Sequence, residues 1–218
     1  MTAVFRTVRL GEALVGKFLI QVTGHEFPTG SQSLMALNAT IFKAAVQISD
    51  MDRGYYNEHL LTIARHPSET DERMMVRLIA FCLHASEALS FGKGLSTDDE
   101  PDIWEKDLTG AIVSWIDVGL PDDKRIRKAS GRANEVFVYT YGVQGARLWW
   151  EQIEDKLERV RNATVIRLPA ETRELAKLAE RNMRFTCTIQ DRHVWLADDE
   201  GSVEIALETL KSPEVARR

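Results

Sequence analysis

A short run near the middle of the chain, Ile112 to Val118 (IVSWIDV), constrains the fold more than any other stretch. β-Branched and aromatic residues dominate it, which predicts a β-strand. Apolar side chains fall on both faces of that strand, a pattern typical of an interior strand in a sheet covered on both sides. Asp117 therefore places a carboxylate at the end of a buried strand. Gly119 follows, and Pro121 is predicted to open a helix with two acids in its first turn.

Strands and helices alternate through the middle of the sequence, and hairpins are predicted at both ends. The first hairpin joins strands over residues 37–48 and 55–65 through the turn DMDRG. The last joins residues 185–190 to residues 193–196. This order predicts an α/β fold with a mixed central β-sheet, parallel in part and flanked by helices.

A helix is predicted after the first hairpin, with Ser68 as its N-cap and Asp71 completing a capping box. Glu72 lies on the margin of the apolar stripe of this helix. A carboxylate in that place needs a partner if it is buried. Alternatively, Glu72 only favours the N-terminus of the helix through its charge.

Acidic residues precede the buried strand, and basic residues follow it. The acids are Asp98 to Glu100 and Asp102, and the bases Lys124 and Lys128 lie one turn apart on the next predicted helix. Oxygen ligands suit hard cations such as Mg²⁺, and a lysine stabilises charge that develops on phosphate. With Asp117, this set is typical of a divalent metal site for phosphodiester chemistry. The alternative is a solvated acidic turn, a strand-end cap and ordinary surface lysines.

Composition limits the classes of function. The chain has 218 residues and a net charge of −5, so no bulk attraction to nucleic acid is expected and any such binding needs a local basic face. Cys82 and Cys187 lie in apolar segments, which indicates buried free thiols and a reducing, cytoplasmic location. No apolar run approaches transmembrane length. We expect a monomer that does not bind membranes.

The organisation of the chain changes at Met35, where a regular strand pattern begins. Residues 1–34 are expected to be a poorly ordered extension or the product of an upstream start. Residues 35–210 are expected to form one domain. Residues 211–218 are polar and are expected to fray.

Several blocks of this domain resemble the YaeQ family in order and spacing. They are MALNATIFKA, LTIARHPSETDERMMVRL, DDEP, WIDVGLPDDKRIRKA, FVYTYG and WW, followed by TIQD with WLADD. The resemblance runs from Met35 to about Leu210. It implies a compact variant of the PD-(D/E)XK, or restriction-endonuclease-like, fold, and it implies no established biochemical activity.

The nuclease pattern places an acid after a proline, then a second acid, a spacer and a lysine on a strand. Asp102 follows a proline and resembles the first acid, and Asp117 resembles the second. Gly119 stands where the lysine should be, which is a departure from the pattern. Lys124 or Lys128, on the next helix, would have to supply the missing ammonium group.

The resemblance also implies a metal-ligand set. Glu72 would correspond to the acid that many such nucleases carry on the first core helix, and Asp99 and Glu100 are rivals to Asp102. With Asp117 these side chains would hold Mg²⁺ or Mn²⁺ in a nuclease acting on nucleic acid. The alternative is a non-catalytic module that kept the fold and binds nucleic acid or protein.

A truncated chain that starts at Met35 tests the predicted domain boundary. We expect removal of residues 1–34 to lower the melting temperature by no more than a few degrees, because the strand pattern begins only at Met35. Thermal melts of the two chains under one condition provide the comparison. A large loss of stability, or an insoluble product, would show that the extension packs on the domain.

Overall fold

The structure is a computed structural model that describes residues 39–92 and 99–214. The chain separates into two units, Met1–Ala36 and Leu37–Arg218. All described residues belong to the second unit. The predicted extension, residues 1–34, lies outside them, as do residues 215–218 of the predicted tail.

The secondary structure consists of eleven strands, three α-helices and one 3₁₀ helix in the described residues. In chain order they are β1 (Thr40–Asp50), β2 (Tyr55–Arg65), α1 (Asp71–His84), β3 (Leu89–Phe91), β4 (Ile103–Lys106), β5 (Ile112–Val118), α2 (Asp123–Ser130), β6 (Ala133–Thr140), α3 (Val143–Leu157), β7 (Ala163–Arg167), the 3₁₀ helix (Ala170–Leu178), β8 (Asn182–Gln190), β9 (His193–Ala197), β10 (Ser202–Ala206) and β11 (Glu208–Lys211).

These strands form two mixed sheets. The first sheet has the order β10-β9-β8-β1-β2, with β1 and β8 parallel and the other pairs antiparallel. The second sheet has the order β11-β7-β6-β5-β4-β3, with β5, β6 and β7 parallel. Strands β3, β4 and β11 are antiparallel to their neighbours.

Strand β1 shows how one face of the first sheet becomes buried. Phe42, Ala44, Val46 and Ile48 alternate along it and are buried, whereas the residues between them are exposed or half-buried. Gly54, at φ +65°, closes the turn to β2 in a conformation that residues with a Cβ rarely adopt. The apolar face so formed needs a second layer to cover it.

Helix α1 supplies that layer for both sheets. Nine consecutive residues, Met74 to Cys82, are buried, as expected for a helix surrounded by protein on all sides. In the core, α1 packs with Ile48 of β1 and also with Ile116 and Tyr139 of the second sheet. Burying each such side chain contributes about 1.5–3 kcal/mol.

Helices α2 and α3 cover the other face of the second sheet. Trp115 of β5 packs with Ile126 of α2 and Ile153 of α3 in a separate apolar cluster. Residues 116 and 118 of β5 therefore face α1, and residues 115 and 117 face α2. This double coverage explains the apolar run in the sequence.

The α/β class and the bounds of β2 and β5 agree with the sequence predictions. The prediction of a single central sheet was wrong. Strands β1 and β2 pair with β8, β9 and β10 from the C-terminal part of the chain and form a second sheet. The helix cap was also misplaced: Thr70, not Ser68, accepts a hydrogen bond from the backbone N–H of Arg73. None of the helices in the described residues is long and apolar enough to cross a membrane.

Other differences concern short elements. Strand β4 was missed, because Ile103 and Trp104 stand alone in a polar stretch. The strand predicted over residues 89–95 ends at Phe91, and residues 93–95 lie outside the described part. Strand β11 reaches Lys211, and the backbone N–H of Glu214 donates to Arg161 O.

The C-terminal end of α1 carries a half-buried histidine. His84 Nε2 lies 2.7 Å from the hydroxyl oxygen of Tyr139, and its ring packs against Phe137 with centroids 4.2 Å apart. Burial, assisted by the charge of Arg53, lowers the pKa of His84 from 6.5 to about 3. Cys82, in the same helix, and Cys187 in β8 are free and buried.

Acid should therefore destabilise the protein through His84. Its folded pKa lies below its unfolded pKa, so its contribution is complete above about pH 6.5 and is lost as the pH falls from there towards 3. The slope is about 1.4 kcal/mol per pH unit for this one group. Urea unfolding between about pH 6 and pH 5 should show a steeper slope in the wild type than in His84→Gln, and the difference should approach this value. Equal slopes in both proteins would contradict this origin.

Candidate functional site: two acids at adjacent strand ends

Two of the predicted site acids meet at one end of the second sheet. Ile103 of β4 pairs with Ile116 of β5, so the same antiparallel register places Asp102 opposite Asp117. Both carboxylates are buried, with relative exposures of 5% and 2%. Two buried carboxylates require positive partners.

Asp102 has such a partner from the buried helix. Arg73 Nη2 donates to both carboxylate oxygens of Asp102, at 2.8 and 2.9 Å, and to the carbonyl oxygen of Val118 at 3.1 Å. The backbone N–H of Val118 donates to Asp102 Oδ2 at 2.8 Å. Asp102 thus ties the first turn of α1 to the end of β5.

Asp117 has a second arginine, from the helix that follows its strand. Arg125 Nε and Nη2 donate to the two carboxylate oxygens of Asp117 at 2.9 and 2.8 Å, in a bidentate arrangement. The indole N–H of Trp115 adds a third bond, at 3.0 Å. Burial raises the pKa of Asp117, and the bonds from Arg125 and Trp115 offset only part of that rise.

Further ion pairs lie inside the core around α1. Glu69 accepts from Arg73 Nη1 at 2.7 Å and from Arg77 Nε and Nη2 at 2.8 Å each. Arg77 is almost fully buried and also donates to the carbonyl oxygen of Ala64 in β2. Two arginines and two acids therefore form one paired network that links the two sheets through α1.

The predicted catalytic lysines do not bind Asp117. Lys128 pairs with the exposed carboxylate of Asp99, and Lys124 is exposed beside a cavity of about 380 Å³ that Asp122, Arg125 and Lys128 also line. A fixed guanidinium fork satisfies both oxygens of a buried carboxylate, which one ammonium group cannot do. The ionic partner of Asp117 is therefore an arginine.

The remaining predicted ligands are held by other contacts. Lys128 lowers the pKa of the exposed Asp99. The backbone carbonyl of Glu100 accepts from Arg125 Nη2 at 2.9 Å. Glu72 is half-buried on α1 and faces Tyr141, whose pKa is raised by burial and, to a smaller extent, by the charge of Glu72.

These residues do not fit a bound Mg²⁺ or Mn²⁺. Every carboxylate oxygen of Asp102 and Asp117 already accepts from an arginine, and such a cation needs several oxygens free to coordinate it. Within residues 39–92 and 99–214, no three His, Cys, Asp or Glu side chains are placed to hold a metal ion. The two arginines supply the positive charge at this site.

Neither arginine was predicted from the sequence to take part in the site. Arg73 lies four residues after Glu69, the spacing of a helical ion pair, and this was the available signal. Arg125 lies in the same helix as the two lysines. Only the bidentate geometry of its guanidinium group favours it over them as the partner of Asp117. Trp149 is half-buried against the apolar cluster of α2 and α3, and its indole N–H donates to the carbonyl oxygen of Pro121 at 2.9 Å.

Helix α2 exposes a concentration of positive charge beside this site. We call this region the α2 surface, and its cations are Lys124, Arg125, Arg127, Lys128 and, just after the helix, Arg132. Acids offset part of this charge, because Arg125 pairs with Asp117, Arg127 with Asp123 and Lys128 with Asp99. Five cations within nine residues still form a local basic face on an acidic chain.

Asp102→Ala should be strongly destabilising. It removes one buried partner of Arg73 and leaves the buried N–H of Val118 without its acceptor, at a cost of about 3–5 kcal/mol. Urea denaturation measures the difference. Asp99→Ala is the matched control and should leave the midpoint unchanged, because its pair with Lys128 is exposed. Equal midpoints for the two variants would contradict the structural role of Asp102.

Comparison with known proteins places this architecture in a family. The protein-family model described as "YaeQ protein" matches residues 35–207. The Escherichia coli (strain K12) "Uncharacterized protein YaeQ" is 44% identical over 182 residues, which cover 82% of this chain and 99% of the relative. The Salmonella typhi relative is 42% identical over 180 residues, with the same coverage.

Two solved structures share the fold. The crystal structure of YaeQ protein from Xanthomonas axonopodis pv. citri gives a TM-score of 0.78 at 50% identity and covers 80% of this chain and 99% of its own. The YaeQ protein from Pseudomonas syringae gives 0.77 at 36% identity, with coverages of 80% and 97%. Sequence and fold agree, and the chain belongs to the YaeQ family.

Proposed function

We propose that this chain is a non-catalytic variant of the PD-(D/E)XK nuclease-like fold that binds single-stranded nucleic acid through the α2 surface. The concentration of cations on α2 is the observation that carries the proposal. Phosphate contacts by lysine and arginine dominate nucleic-acid affinity, and they need only a local basic face. The net charge of −5 restricts such binding to this face.

The two acids support the nuclease-like origin. Asp102, after a proline, and Asp117 lie at adjacent strand ends, as the first two acids of the nuclease pattern would. Metal-dependent hydrolysis of phosphodiesters is the alternative function, and this adjacency alone favours it. Arg73 and Arg125 weigh against it, because they occupy the oxygens that a metal would need.

An aromatic side chain beside the α2 surface favours a single strand over a duplex. Trp104 of β4 pairs in register with Trp115, and Arg132 lies over the Trp115 ring at 5.0 Å. Trp104 is only half-buried, and Lys106 Nζ lies 3.4 Å from its ring centroid. A half-buried indole at the surface can stack on an unpaired base, which a duplex does not offer.

Fluorescence anisotropy with a labelled single strand, measured over a range of salt concentrations, tests this proposal. Lys128→Glu should weaken binding and lower the slope of log affinity against log salt by about 0.7 for each phosphate that the variant no longer neutralises. Lys177→Glu is the control, because it makes the same charge change on an exposed lysine of the 3₁₀ helix. Trp104→Leu should weaken binding by about 1–3 kcal/mol with the salt slope unchanged.

Two results would overturn the proposal. One is a wild type that does not bind the strand at low salt. The other is an equal loss of affinity in Lys128→Glu and Lys177→Glu, which would show a response to net charge rather than to the α2 surface. Cleavage of the strand in the presence of Mg²⁺ would support the alternative, a nuclease.

A further inference from the structure

Strand β2 is a long edge strand. It ends the order β10-β9-β8-β1-β2, and all eleven of its residues pair with β1. The other strands that end a described sheet, β10, β3 and β11, have five, three and four residues. An edge of this length presents a row of backbone N–H and C=O groups that another strand can pair with.

Large side chains of β2 on the outer face of the sheet are exposed to solvent. The register places Leu60 beside Ala45 and Tyr56 beside Ser49, on the face away from α1. Leu60 is 82% exposed and Tyr56 65% exposed. The neighbouring Ile41 of β1 is 47% exposed on the same face.

The usual protection of an edge strand is weak here. Proteins guard such strands with proline, lysine, bulges or short length. Strand β2 (YYNEHLLTIAR) contains neither proline nor lysine, its register with β1 is unbroken, and Glu58 is the only charge on its outer face. A strand that is long, regular and apolar at its centre is suited to pairing.

We propose that β2 pairs antiparallel with β2 of a second copy of this chain, about a twofold axis at Leu60. Leu60 is the midpoint of Tyr55–Arg65, so an axis there aligns the two strands over their whole length, with the carbonyl oxygen of Ala64 kept by Arg77. The two five-stranded sheets then join into one sheet of ten strands. A twofold axis makes the association self-limiting, and it yields a dimer rather than a fibre.

The sequence of β2 is complementary to itself in this register. On the outer face Leu60 lies against the partner's Leu60, and Tyr56 against the partner's Ala64. Glu58 lies opposite the partner's Thr62, so the two carboxylates are not apposed. On the inner face Tyr55 lies opposite the partner's Arg65. No like charges face each other, and this complementarity selects a second copy over an unrelated strand.

Sedimentation velocity of the full chain over a range of concentrations tests the dimer. The wild type should approach twice the chain mass of 24.7 kDa as concentration rises. Leu60→Lys should weaken dimerisation by about tenfold or more, since it places two ammonium groups together at the axis. Leu60→Glu should do the same with carboxylates. Leu60 is so exposed that neither change disturbs the core.

A mixture of the two variants tests the register itself. Leu60→Lys mixed with Leu60→Glu should recover the dimer, because opposite charges then meet only if residue 60 faces residue 60. Leu108→Lys is the matched control: Leu108 is fully exposed in the turn between β4 and β5, and its replacement should leave dimerisation unchanged.

Three results would overturn this inference. They are a wild type that stays monomeric at every attainable concentration, a dimer that persists in Leu60→Lys, and a mixture that fails to recover it. A monomeric wild type would also be the outcome if another segment of the chain covered β2. Nucleic-acid binding through α2 is measured on monomer or dimer alike, so the two proposals fail separately.

Discussion

The ion pair between Arg73 and Asp102 joins the layers of this protein. Helix α1 is buried between two sheets, and a helix in that position has few polar contacts with which to fix its register. Arg73 binds both oxygens of Asp102, and Asp102 also accepts from the backbone N–H of Val118. Because Arg73 and Arg77 share Glu69, the same network reaches the carbonyl oxygen of Ala64 in the first sheet.

The two acids at the strand ends are paired with arginines, so their carboxylates are structural ion-pair partners. A nuclease-like fold would gather carboxylates around a cation, and here Asp102 and Asp117 lie at the ends of neighbouring strands. Each is paired with a guanidinium instead, and one of these, Arg125, is also a cation of the α2 surface. The geometry thus combines a neutralised acid pair with a basic face, an arrangement that favours binding over hydrolysis.

The sequence predicted the features that depend on local pattern. The apolar run of β5 and the alternation of the β1–β2 hairpin are short-range signals, and both elements were located correctly. The division into two sheets depends on pairing between residues such as Val46 and Phe185, far apart in sequence, which periodicity does not reveal. The choice of Arg125 over Lys124 depends on the direction of a side chain rather than on spacing. The position of Asp117 could be predicted, but its partner could not.

The melting temperature with and without a divalent cation tests the central claim most directly. If Arg73 and Arg125 already satisfy the two acids, the wild type should melt at the same temperature in EDTA, in millimolar Mg²⁺ and in millimolar Mn²⁺. A cation that bound only the folded state at a hundred times its Kd would add about 2.7 kcal/mol of stability. A rise in melting temperature of that origin, abolished in Asp117→Asn, would contradict the claim that arginines hold this site.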